Sequence, residues 1–138
     1  MADTSHAATD SAHAPTPDPS LKLDHLRTRA DFQRLTSSRR KHATRGLVLQ
    51  VAAQPAGRDT TQPRIGFTAS KKVGNAIARN RAKRRLRALA REVLQPRVQP
   101  SLDYVLVGRH TTVTRPWSKL VQDLETAIER TQLDQRQS

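Results

Sequence analysis

Apolar positions come in separated groups along the chain, and their spacing assigns the elements. Between residues 30 and 37, Phe32 and Leu35 stand three apart with Ala30 alongside, which predicts a short helix. The run 46–53, Gly-Leu-Val-Leu-Gln-Val-Ala-Ala, is apolar and β-branched and predicts a strand. Residues 64–69 predict another, with Ile65 and Phe67 on one side of the pleat. The segment 54–63 between them holds Pro55, Gly57, Asp59 and Pro63 and reads as a loop, so the two strands are expected to pair antiparallel. The basic segment 39–45 is a candidate edge strand. Over 75–94, Ala82, Leu86, Leu89 or Ala90, and Val93 recur at helical spacing, and Pro96 and Pro100 end the pattern. Residues 103–108, Asp-Tyr-Val-Leu-Val-Gly, predict a buried strand. From 116 to 130, Trp117, Leu120, Val121, Leu124 and Ile128 form the stripe of a second long helix, with Pro116 in its first turn. Long helices alternating with strands predict an α/β sandwich of one sheet and helices.

The rest of the chain is polar. Residues 1–20 hold no large apolar side chain after Met1, so that segment cannot offset its ordering entropy and is expected to be disordered. Residues 131–138 are polar and expected to fray. One domain over 21–130 remains. In a chain of 138 residues with 35% hydrophobic and 3% aromatic residues, its core must be small and aliphatic. The absence of Cys excludes disulfides, thiolate metal sites and a thiol nucleophile. No apolar run approaches the roughly 18 residues that cross a bilayer. The start of the chain has neither the basic nor the apolar region of a signal peptide. A cytoplasmic protein is expected.

Charge changes the picture most. Lys and Arg number 25 against 12 Asp and Glu, a formal net charge of +13. The excess is concentrated: residues 71–97 hold ten basic residues and only Glu92. Such an excess implies a polyanionic partner, most plausibly nucleic acid. On a helical wheel centred on Leu86, Ala82, Leu89, Ala90 and Val93 fall within about 60° and form the core face. Asn80, Lys83, Arg84, Arg87 and Arg91 lie on one flank, and Arg81 and Arg85 on the other. Arg79 is in line with the core stripe but a turn before it. Eight residues from Lys71 to Arg87 are basic and none is acidic. A solvated helix would intersperse acids as i, i+4 partners, whereas phosphates would relieve this repulsion and release condensed counterions.

Catalytic chemistry finds no support. Metal-dependent nucleases use clustered carboxylates, and acids are scarce where the positive charge lies. His25, His42 and His110 are isolated in sequence, and no Walker-type glycine loop is present. No catalytic residue and no protein-held metal are expected. A DNA-binding helix-turn-helix would need a helix just before residue 75, where Ile65-Gly66-Phe67 reads as strand. A structural RNA-binding protein such as a ribosomal protein remains an alternative.

The run Lys71-Lys72-Val73-Gly74-Asn75-Ala76-Ile77-Ala78-Arg79-Asn80-Arg81-Ala82-Lys83-Arg84-Arg85-Leu86-Arg87 resembles the signature of the bacterial ribonuclease P protein component. Supporting matches are Asp31-Phe32, Gly66 with Ser70, and Asp103-Tyr104. The resemblance runs from about Leu26 to Arg130. It implies a two-layer α/β (α+β) sandwich of order αβββαβα, like the second domain of ribosomal protein S5, with a left-handed crossover. It implies one protein bound to a large catalytic RNA that removes the 5′ leader of precursor tRNA, with Mg²⁺ held mainly by the RNA. Carried over by position, Lys71, Lys72, Arg79, Asn80, Arg81, Lys83, Arg84 and Arg87 would contact RNA. Phe32 would line a cleft for the single-stranded leader. Thr36 and Gln50 stand in that cleft where relatives often place aromatics, so leader binding would rest more on Phe32, hydrogen bonds and charge. Base stacking contributes on the order of 1–3 kcal/mol per base.

Overall fold

The computed structural model describes residues 23–58 and 60–137, with side chains as far as residue 132. The expectation of a disordered 1–20 segment lies outside the described residues. The elements are β1 (Asp24–His25), α1 (Arg29–Thr36), β2 (Arg40–Ala43), β3 (Leu47–Ala53), β4 (Arg64–Ala69), α2 (Ala76–Leu89), β5 (Leu102–Gly108) and α3 (Trp117–Gln137). A 3₁₀ turn (Lys71–Val73) precedes α2, and another (His110–Val113) precedes α3. Apart from the two-residue β1, the order is the expected αβββαβα.

The sheet order is β1-β4-β5-β3-β2. This corrects the expected pairing of 46–53 with 64–69: β5 lies between them, antiparallel to β3 and parallel to β4. The reason lies in β5 itself. Leu102, Tyr104 and Leu106 are apolar on one face and Val105 on the other, so the strand is stable only where both faces are covered. The 54–63 segment is long enough to step over one inserted strand, a span of roughly 10 Å. The basic segment 39–45 does supply an edge strand, β2, paired with β3.

Strand alternation divides the core in two. On one face, Leu47, Leu49, Val51, Ile65, Tyr104 and Leu106 pack beneath α2 and α3 through Leu86, Leu89, Leu120 and Leu124. On the other face, the eight-residue α1 covers only part of the sheet, with Leu35 packed on Val105 and Leu26, and Phe32, Ala52 and Val107 half-buried at their margin. The second face is therefore open along one side of α1.

Two helix ends differ from expectation. The α-helix stops at Leu89, and residues 90–94 widen into a π turn before the 3₁₀ turn Gln95–Arg97. Pro96 has no N–H to continue the ladder, so the backbone leaves helical geometry ahead of it. At the C-terminus, α3 does not end at residue 130 but runs to Gln137. Thr131 is buried, and its hydroxyl donates to the carbonyls of Ala127 and Ile128, so it continues the packed helix.

Candidate nucleic-acid interface

The start of α2 is set by local chemistry. The Ser70 hydroxyl accepts from the Lys72 N–H at 3.2 Å and caps the 3₁₀ turn. Gly74 follows at φ +143°, a left-handed conformation that a side chain would strain. Asn75 then caps α2, its Oδ1 accepting from the Ala78 N–H at 2.9 Å. No acidic residue stands in the first turn of α2. The helix dipole and the side chains are therefore positive at the same end.

Along α2 the core stripe behaves as the wheel requires, with Ala82, Leu86 and Leu89 fully buried. The candidate RNA contacts divide by exposure. Lys71, Lys72, Asn80, Arg81, Arg84 and Arg87 are exposed, and Arg79 and Lys83 are half-buried. Arg79 donates to the Gly74 carbonyl at 3.1 Å, so part of its guanidinium braces the turn. Arg87 stacks over Phe67, with Cζ 5.7 Å from the ring centroid. Ile77, 70% exposed, is a large apolar side chain standing among these cations.

The second basic flank is smaller than the sequence implied. Arg85 donates to the carbonyls of Thr112 at 2.6 Å and Val113 at 3.0 Å, and its Cζ lies 5.7 Å from the centre of the Trp117 ring. It clips α2 to the turn before α3, which leaves Arg81 as the free cation of that flank. A wheel projection cannot show this, because the carbonyls that hold Arg85 come from a segment far along the chain.

The leader-cleft candidates meet on the open face. The Phe32 ring rests on Gly66, where any Cβ would collide with it. Only glycine lets the ring lie flat on the strand, which gives the Gly66 match a physical meaning. Thr36 is exposed and its hydroxyl donates to the Phe32 carbonyl at 2.9 Å. Gln50 is 9% exposed, and its amide makes no hydrogen bond with any described residue. The three therefore line one groove between α1 and the sheet.

An ion-pair network that sequence reasoning missed holds α1 in place. Arg34 reaches Asp31 at 3.1 Å and Asp103 at 2.5 Å. Arg64 reaches Asp31 at 3.3 Å and Asp103 at 2.7 Å, and Gln54 adds a hydrogen bond to Asp103 at 3.1 Å. Burial pushes the Asp103 carboxyl up, but the hydrogen bonds from Arg64 and Arg34 and the charge of Arg64 outweigh it and hold the carboxyl below its ordinary range. The signal was present as Asp31-Phe32 and Asp103-Tyr104, two acids in basic surroundings, but their common partners could not be inferred from spacing.

The donor set does not fit a protein-held metal. Among the described residues no three His, Asp or Glu side chains gather to hold an ion, and Asp31 and Asp103 direct their oxygens at guanidinium groups. Nor is any described helix long and apolar enough to cross a membrane.

Comparison with known proteins agrees with this geometry. Residues 21–132 match the family model for ribonuclease P. The ribonuclease P protein component of Paramagnetospirillum magneticum is 50% identical over 111 residues, covering 79% of this chain and 83% of that protein. That of Symbiobacterium thermophilum is 40% identical over 116 residues, covering 84% and 97%. Among solved structures, the ribonuclease P protein of Thermotoga maritima superposes with a TM-score of 0.61 at 22% identity, covering 78% of this chain and 96% of that one, and shares the fold. An acid-free basic helix on this fold, with family matches spanning the folded domain, has one reading: the chain belongs to the ribonuclease P protein family, the RNA-binding protein component of the enzyme that processes the 5′ end of tRNA.

Proposed function

We propose that α2 docks on the catalytic RNA while the groove between α1 and the sheet holds the single-stranded 5′ leader of precursor tRNA, with one protein per RNA. The observation that carries this reading is the separation of two surfaces. The cations of α2 stand on the covered face of the sheet, and Phe32, Thr36 and Gln50 line a groove on the opposite face. A single small domain can thus touch two RNA segments at once.

The residues act by binding and positioning. Arg81 and Arg84 meet phosphates, and Lys71 and Lys72 extend that contact around the turn. Phe32 offers a ring face against which a base stacks. Mg²⁺, in this reading, belongs to the RNA subunit, because the carboxylates here are directed at arginines and the exposed surface is cationic. Neutralising phosphates near the RNA's active site lowers the Mg²⁺ concentration needed for folding and cleavage.

The test is reconstitution with a bacterial ribonuclease P RNA and precursor tRNA at low Mg²⁺. Stimulated 5′ cleavage, with tighter binding of precursor than of mature tRNA, is the expected result. Equal affinity for the two forms would overturn the leader assignment.

A further inference from the structure

The groove has a lip that the sequence did not reveal. α1 lies across the strands: Phe32 sits over Gly66 of β4, and the Thr36 carbonyl receives the Lys41 ammonium of β2 at 3.1 Å. Beside α1, the half-exposed residues Thr68, Val107 and Val48 pair across β4, β5 and β3 and form an apolar floor. Lys41 pairs with Gln50 in the neighbouring row, so it shares the open face with it. Beyond the floor, Arg109 follows Gly108 in extended conformation, at φ −114° and ψ 167°, and continues the alternation of Val105 and Val107 onto the open face. It is exposed, and one guanidinium nitrogen donates to the Thr44 carbonyl at 2.9 Å. That bond fixes the side chain over the turn between β2 and β3 and leaves its other donors available.

We propose that Lys41 and Arg109 are paired cationic clamps that bind the phosphodiester backbone of the single-stranded leader as it crosses this floor. The inference rests on the leader-groove reading and names the groups that do the holding. Two observations point to a ligand there. Gln50, nine-tenths buried on the groove floor, has no hydrogen-bond partner among the described residues, although its amide carries donors and an acceptor. Neither Lys41 nor Arg109 forms an ion pair with a described acid, whereas Arg34 and Arg64 on the same face are fully engaged. The two cations flank the groove from different sides. Lys41 stands at the α1 wall by Thr36 and Gln50, and Arg109 stands beyond Val107 at the opposite lip. They suit different phosphates of one strand. A groove with Thr36 and Gln50 at its wall and floor offers one aromatic face, that of Phe32, so backbone charge supplies what further stacking would have given.

The experiment uses enzyme reconstituted with the catalytic RNA and measures binding of precursor tRNA and mature tRNA across a salt series. The variants are Lys41→Gln with Arg109→Gln, the charge-retaining Lys41→Arg with Arg109→Lys, and Phe32→Ala, each checked by circular dichroism. Each single-strand phosphate contact contributes about 0.7 to the log–log salt slope. The glutamine pair should lower the leader-dependent slope by about 1.4, with mature tRNA unaffected, and the charge-retaining pair should keep the slope. If Phe32→Ala weakens precursor binding but the glutamine pair leaves the slope unchanged, the clamp is wrong and the groove reading stands. If neither change touches leader-dependent affinity, the groove reading falls and the clamp with it.

Discussion

Two sets of arginines show how one residue type is used in opposite ways in this chain. At one end of the sheet, Arg34 and Arg64 converge on Asp31 and Asp103, and all four side chains are largely removed from solvent. On α2, Arg81 and Arg84 are exposed and make no ion pair with a described residue. The first set joins α1 to β4 and β5, and so sets where the groove lies. The second raises the electrostatic energy of the free protein until phosphates neutralise it. Paired guanidinium groups here belong to the architecture, and unpaired ones to recognition.

The largest expected effect comes from breaking the paired set. Asp103→Ala leaves Arg34 and Arg64 part-buried without their shared partner, and should destabilise the fold by about 3–5 kcal/mol in urea unfolding. A comparable loss, about 2–5 kcal/mol, is expected for Leu86→Ala, which opens a cavity between α2 and the sheet. Gly66→Ala should cost less stability but displace the Phe32 ring, so precursor tRNA binding should fall toward that of Phe32→Ala while mature tRNA binding holds. If Gly66→Ala leaves precursor affinity intact, the ring does not act from its position on Gly66.

The network also gives a pH signature. The folded-state pKa of Asp103 is held below its ordinary value, so its stabilising contribution is present above the unfolded-state pKa, near 4, and is lost as pH falls through the folded-state value. Unfolding midpoints should be flat from neutrality to about pH 5 and decline below about pH 4. Arg64→Met should flatten that decline. An unaltered acid limb in Arg64→Met would show that other carboxylates dominate it.

How much of this was legible in the sequence depended on the range of the interaction. The α2 helix was readable because its apolar period, its capping neighbourhood and its charge all occupy one short segment. Its end was only partly readable, since Pro96 marks a stop without saying that the last turn widens. Strand existence was local and readable; strand partners were not. The placement of β5 between β3 and β4 depends on residues 102–108 outcompeting a nearer hairpin, which no local pattern shows. The same holds for the site. Phe32 and Gln50 could be placed in a common groove through family resemblance, but Lys41 joins them only once the register of β2 on β3 is known. Arg85 looked like a recognition residue because a helical wheel has no Thr112 or Trp117 in it. The Asp31–Arg34 pair is local, yet its meaning comes from Arg64 and Asp103, far along the chain.

The smallest structural perturbation carries the most direct test of the comparison. Arg81→Ala combined with Arg84→Ala removes two exposed cations and no core volume, so its urea midpoint should shift by no more than about 0.5 kcal/mol per site. Assembly with the catalytic RNA, measured across a monovalent salt series, should weaken, with the log–log slope reduced by about 0.7–0.9 per lost contact. An unchanged slope and affinity alongside a lowered urea midpoint would contradict the account, because it would place these arginines among the groups that build the fold.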